Sequence, residues 1–128
     1  MSIIDARKIL GDGKIIGVSA NNPITAKRAE KNSADYIGVG AIFRSITKPS
    51  ASVIGIKQLT KIIKTTNLPM VAIGGINSSN AKQLFKLGVA GVAVISSIFG
   101  GYKISDKNFS RKIINNLKKF NRQNLTIP

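Results

Sequence analysis

Four short apolar runs, each followed by a stretch with helical spacing, set the rhythm of the chain. The runs are Lys14–Ala20 (KIIGVSA), Asp35–Gly40 (DYIGVG), Pro69–Ile73 (PMVAI) and Gly91–Ile95 (GVAVI). They show little polar alternation, as expected of parallel strands covered on both faces. Between them, apolar residues return every three or four positions, the spacing of an amphipathic helix. The second helix starts at Asn22-Pro23, a cap followed by proline at the first helical position. It runs to about Asn32, with Ala26 and Ala29 as small packing residues. Ile54–Thr65 repeats through Ile56, Leu59 and Ile63, and Ser78–Leu87 through Ala81, Leu84 and Leu87, with Gly88 as a stop. Asp106–Phe120 carries Phe109, Ile113, Leu117 and Phe120 on one stripe. A short helix, Ile3–Leu10, precedes the first strand, with Asp5 near its start and Arg7 and Lys8 near its end, as the helix dipole favours. Ser96–Gly101 reads as one extra helical turn, and Asn121–Pro128 as a flexible tail.

The order is βαβαβαβα, which predicts an α/β fold with a parallel sheet. Four such units make a (β/α) half barrel, half of a TIM barrel. Residues 1–120 form that half, and its N-terminal half is expected to be missing. Four parallel strands cannot close. One apolar face would lie open, forfeiting roughly 1.5–3 kcal/mol for each large side chain left in water. A separate N-terminal half-barrel chain, self-association, or survival as a poorly folding remnant are the three ways to resolve this.

The stretch Met70–Asn77 (MVAIGGIN) organises the rest: a buried strand runs into two glycines and then a polar, helix-starting segment. Gly91–Gly101 (GVAVISSIFGG) repeats the plan with Ser96 and Ser97 in place of the glycines. Two strand ends and two helix starts side by side form an anion cradle of backbone N–H groups. Gly74 and Gly75 let the backbone turn sharply toward a phosphate, although a plain strand-to-helix turn would look the same. Ser96 and Ser97 can donate hydroxyls to that phosphate or simply cap the short turn. The long Ser/Thr/Lys-rich loop Ala41–Val53 is of a length more often functional than filler. Lys48 is a point charge for an anion there, Arg44 is a second cation, and Ser45 and Thr47 are hydrogen-bonding groups for a heteroaromatic ring. A solvated loop remains the plain alternative. Ser19 ends the first strand on the same face and is a modest candidate for a phosphate contact. Asp35 stands at the opposite end of its strand, where it caps or pairs rather than catalyses.

Composition narrows the chemistry by what it lacks. There is no cysteine and no histidine among the 128 residues, so disulfides, thiolate chemistry and the usual neutral-pH base are excluded. No acid follows any strand, so the chain offers no metal ligands at the active face, and charge stabilisation by cations and amides is the chemistry left. The formal net charge of +15 attracts anions of any kind. No aromatic RNA platform or zinc finger accompanies it, so nucleic acid is not the expected partner. No run reaches the roughly 18 apolar residues of a membrane span, and the N-terminus lacks a signal-like apolar core, so a cytoplasmic location is expected.

The stretches ARKILG, KIIGVSA, ADYIGVGAIFRSITK, PMVAIGGIN..N and GVAVISSIFG together resemble the C-terminal half of thiamine-phosphate synthases, in the superfamily that includes the TenI-type thiazole tautomerases. The resemblance covers about Ile4 to Phe109. It implies a (β/α)8 barrel and a transferase of thiamine biosynthesis. Such an enzyme joins hydroxymethylpyrimidine diphosphate to a thiazole phosphate, giving thiamine phosphate and pyrophosphate. It further implies that pyrophosphate leaves first and the thiazole nitrogen captures the resulting cation. By the same resemblance, Ser19 and Lys48 are the catalytic contacts to the diphosphate. Ser45 and Thr47 meet the thiazole, and Gly75 holds its phosphate with help from Gly74, Ser96 and Ser97. Ile98 lines the pocket. Magnesium is implied too, with ligands expected from the N-terminal half. The chain departs from the pattern at Ala41 and Arg44, where prolines are usual, and at Ser45, where threonine is commoner. Asn21 stands where many members carry a histidine, which argues against tautomerase activity. A non-catalytic phosphate-binding remnant or scaffold and a basic nucleic-acid-binding protein are the alternative functions.

Overall fold

The computed structural model describes residues 1–45, 48–100 and 108–124. Its elements alternate as α1 (Ile3–Leu10), β1 (Gly17–Ser19), α2 (Pro23–Lys31), β2 (Tyr36–Val39), α3 (Gly55–Ile63), β3 (Met70–Ile73), α4 (Ala81–Leu87), β4 (Gly91–Ala93), α5 (Ser96–Phe99) and α6 (Phe109–Asn124). The four strands form one parallel sheet in sequential order β1-β2-β3-β4. This is the open (β/α) half-barrel layout that the strand and helix spacing predicts.

Register sorts the strand residues onto two faces. Ile37 pairs with Met70 and Val39 with Ala72. These four are buried, together with Leu59 and Ile62 of α3, Ala26 and Ala29 of α2, and Ala81 and Leu84 of α4. The alternate positions look the other way. Ile15 (81% exposed), Ile73 (41%) and Ile95 (54%) stay open to solvent on that face. The Tyr36 ring lies across Gly17, its register partner, where any Cβ would collide with it.

Several element ends differ from the sequence expectation. β1 covers only Gly17–Ser19 of the expected Lys14–Ala20, and the other strands lose a residue or two at their ends. α4 begins at Ala81 rather than Ser78 because Asn77 diverts the backbone. Its side-chain oxygen accepts from Ser79 N (2.9 Å) and Asn80 N (3.2 Å), while Asn77 N donates to Asn80 Oδ1 (2.9 Å). Asparagine competes in this way with the first helical turn. α6 continues to Asn124, past the expected stop at Phe120 and into the segment assigned to a tail. Residues 106–107 and 125–128 lie outside the described ones. In α3 the packing stripe includes Ile62, fully buried, which the spacing Ile56–Leu59–Ile63 leaves out. Along α6, Phe120 packs on the core, whereas Leu117 stays 41% exposed.

The N-terminal end of the sheet is tied by Asp35. Its carboxylate accepts from Ile16 N and from Arg7 Nη2, both at 2.6 Å. Arg7 also donates to the Ser33 and Lys14 carbonyls, so α1 is stapled to the lower rim of β1 and β2. The Ile16 N–H, and secondarily Arg7, hold the Asp35 carboxyl below its ordinary pKa. Asp35 therefore pairs, as its strand position predicts. Among the described residues, no helix is long and apolar enough to cross a membrane.

Candidate phosphate-binding site

The C-terminal ends of β2, β3 and β4 enclose a cavity of about 460 Å³, within the range of small-ligand pockets. Three segments build it. The β3 end contributes Ile73, Gly74, Gly75 and Ile76, and the β4 end contributes Ala93, Val94, Ile95 and Ser96. The segment after β2 contributes Gly40, Ala41, Ser45, Lys48 and Ala51.

The glycines are required where they stand. Gly74 (φ 96°) and Gly75 (φ 62°) both occupy the left-handed region. A Cβ on Gly74 would sit 2.5 Å from the Ala41 Cβ, and one on Gly75 would meet the Phe43 and Arg44 carbonyls. Residues 40–44 thus lie directly on the β3 turn. Ile42 N donates to Ile73 O (2.9 Å) and Phe43 N to Gly74 O (3.0 Å), while Ile42 itself is fully buried. The start of the Ala41–Val53 loop is therefore part of the core. From the other side, Asn80 Nδ2 donates to Gly75 O at 3.0 Å.

The carbonyls of this turn are thus occupied. The first N–H groups of α5, at Ser96 and Ser97, have no acceptor within that short helix. α5 starts at Ser96 with no side-chain cap. Lys48 brings a cation to the same cavity, and no described carboxylate pairs with it. The arrangement suits an oxyanion with an apolar body, since Ile73, Ile76, Val94 and Ile95 supply the remaining wall.

The expected site residues separate into three groups. Lys48, Ser45, Gly74, Gly75 and Ser96 meet at the cavity. Ser19, Ser97 and Ile98 do not line it. Ser19 is exposed at the end of β1, and Ile98, within α5, is buried, its carbonyl accepting from Asn116 Nδ2 at 2.9 Å. The Ser97 hydroxyl is buried, with no hydrogen-bond partner among the described residues. Thr47 lies outside the described residues. The apolar wall and the bracing asparagines, Asn21 and Asn80, went unread in the sequence. Strand parity signals the wall, because positions 73, 93 and 95 share one face.

Magnesium does not fit this cavity. Neither Asp nor Glu lines it, and no three potential metal-ligating side chains gather among the described residues.

Comparison with known proteins places this arrangement. The thiamine monophosphate synthase family profile matches residues 1–98. A thiamine-phosphate synthase of Clostridium acetobutylicum is 46% identical over 107 residues, covering 84% of this chain and 51% of that protein. One from Methanobrevibacter smithii is 43% identical over 121 residues, covering 93% and 54%. Among solved structures, a thiamine phosphate pyrophosphorylase from Pyrococcus furiosus superposes with a TM-score of 0.69 at 37% identity, over 94% of this chain and 56% of that one. A 3-hexulose-6-phosphate synthase, at 15% identity and a TM-score of 0.59, shares the fold alone. The chain spans about half the length of the curated relatives it matches. With a profile match over most of its length and relatives above 40% identity, the chain belongs to the thiamine monophosphate synthase family.

Proposed function

We propose that this chain forms the phosphate-holding side of a thiamine-phosphate-forming transferase. The observation that carries the reading is the meeting of the left-handed Gly74–Gly75 turn, the start of α5 at Ser96 and Lys48 at one cavity. In this reading the Gly74–Gly75 and Ser96 amides grip the phosphate of a thiazole substrate, with Ser45 beside its ring. Ser97 and Ile98 anchor α5 from its buried side. Lys48 meets the pyrophosphate as the carbon–oxygen bond of the pyrimidine diphosphate breaks and the leaving group takes the electron pair. The ring nitrogen of the thiazole then forms the new carbon–nitrogen bond. Positioning and charge stabilisation suffice for such a step, and no strong base is needed. Ser19, at the open edge of the sheet, reaches the diphosphate only when that edge is covered.

The open apolar face and the acid-free cavity support the second part of the reading. A complementary half barrel covers the face and brings the carboxylates that the implied magnesium needs. The test measures thiamine phosphate formation from the two substrates with magnesium. It is run on this chain alone and with the N-terminal half of a relative supplied as a separate chain. Product only in the mixture supports the reading. Product from the chain alone overturns the need for a complementary half. No product from the mixture, with a stable complex formed, removes the transferase reading and leaves a phosphate-binding protein.

A further inference from the structure

Asn21 sits just past β1, outside the cavity, yet it holds the segment that shapes the cavity. Its side-chain oxygen accepts from Gly40 N at 3.0 Å. The β1–β2 ladder runs as far as the bond from Ala20 N to Gly38 O (3.0 Å). Beyond that point the β1 backbone turns away into the Asn22 cap of α2. Asn21 Oδ1 thus serves the next donor of β2 after the backbone itself has left. The Asn21 carbonyl in turn accepts from Gln58 Nε2 of α3 at 3.4 Å.

That donor matters because of the segment it anchors. Gly40 has no side chain and lies against the Ile73 carbonyl, where a Cβ would collide. Ala41 rests on Gly74, and the Phe43–Arg44 carbonyls cover the outer side of Gly75. The backbone from Gly40 to Arg44 is therefore the mould against which the two left-handed glycines are set. Its first N–H is held by Asn21.

We infer that Asn21 is a positioning residue for the phosphate cradle, acting through Gly40–Arg44 on the Gly74 and Gly75 amides. This rests on the reading of those amides as a phosphate site. A small displacement of residues 40–44 redirects two donors at once. Oxyanion binding is sensitive to such aim because each N–H bond weakens steeply off axis.

The test uses the full chain, isotope-labelled, titrated with inorganic phosphate while backbone amide resonances are followed. In the unaltered protein, phosphate shifts Gly74 and Gly75 saturably, and the Gly40 amide moves with them. In Asn21→Ala, hydrogen exchange at Gly40 accelerates and the phosphate Kd rises roughly five- to tenfold, the loss of about one hydrogen bond. Asn22→Ala, which removes the neighbouring helix cap, lowers the thermal midpoint but leaves the Kd unchanged. Asn21→Asp keeps the acceptor and restores protection at Gly40. An Asn21→Ala Kd equal to that of the unaltered chain overturns the inference. So does a Gly40 amide that stays still at phosphate saturation, a measurement that needs no variant to fold. If phosphate fails to move Gly74 and Gly75 in the unaltered chain, the phosphate reading itself has failed.

Discussion

The two faces of the sheet are built from the same residue types and have opposite fates. Ile37 and Val39 of β2 and Ala72 of β3 are fully buried beneath the helices. Ile15, Ile73 and Ile95 look away from the helices, with 41% or more of each exposed. Both sets read as strand interior in the sequence, because a strand buried on two faces has no polar alternation to tell them apart. The helix-covered face is where this chain holds itself together. The open face is apolar surface without a covering layer among the described residues, and the cavity opens at its C-terminal rim.

The contrast can be broken most sharply by paired truncations on adjacent strands. Ile37→Ala is expected to lower stability by about 2–5 kcal/mol, read from urea unfolding. Ile73→Ala removes the same atoms from a half-exposed site and should lower it by less than half as much. Equal losses would mean that the open face is packed in solution. At the rim, Gly75→Ala places a Cβ in the left-handed region and against two carbonyls. Residues 43–44 must lift, with an expected backbone penalty of about 1–2 kcal/mol. Phosphate affinity should fall at least tenfold in an amide-shift titration, and an unchanged affinity would remove Gly75 from the site.

Acid tests the lower rim, where Asp35 braces the sheet from the end opposite the cavity. The Ile16 N–H, with Arg7 second, lowers the folded-state pKa of Asp35. Its contribution is fully present above the unfolded-state pKa and is lost as pH falls through the lower, folded value. Urea midpoints should therefore drop on acidification, and Asp35→Asn should flatten that acid limb. A limb that survives in Asp35→Asn would assign it to another carboxylate, with Glu30 next in line, since Lys27 and Asn67 N lower its pKa too. The smallest effect is expected from Ile15→Ser on the open face. Stability of the chain alone should change by no more than about 0.5 kcal/mol, while association with a complementary half barrel should weaken measurably.

The α/β order, the parallel sheet and the Gly74–Gly75 turn were legible in the sequence because they rest on local signals. Apolar runs, helical spacing and paired glycines each report on neighbours a few residues away. α1 matches its expected span to the residue, since Ser2 caps it and Gly11 stops it. Expectations failed at two kinds of place. Asn77 delays α4 by bonding its own turn, and Ile42 leaves its loop to fill a core assembled from distant segments. Ser19, Ser97 and Ile98 share strand-end or helix-start positions with the cavity residues without lining the cavity. Local pattern places a residue at an element's end, but its orientation there depends on how the neighbouring strand end is bent.

The sequence by itself determined which segments are strands and helices, that the strands pair in parallel, and that two glycines turn the chain after β3. Residue chemistry and period are enough for those. Only the tertiary structure decided which apolar face is covered and which residues share the cavity. It alone set Asn21 on Gly40, nineteen positions along the chain. The physical reason is register. Parallel pairing joins residues about twenty or more apart, and a one-residue change in pairing would exchange the two faces of the sheet.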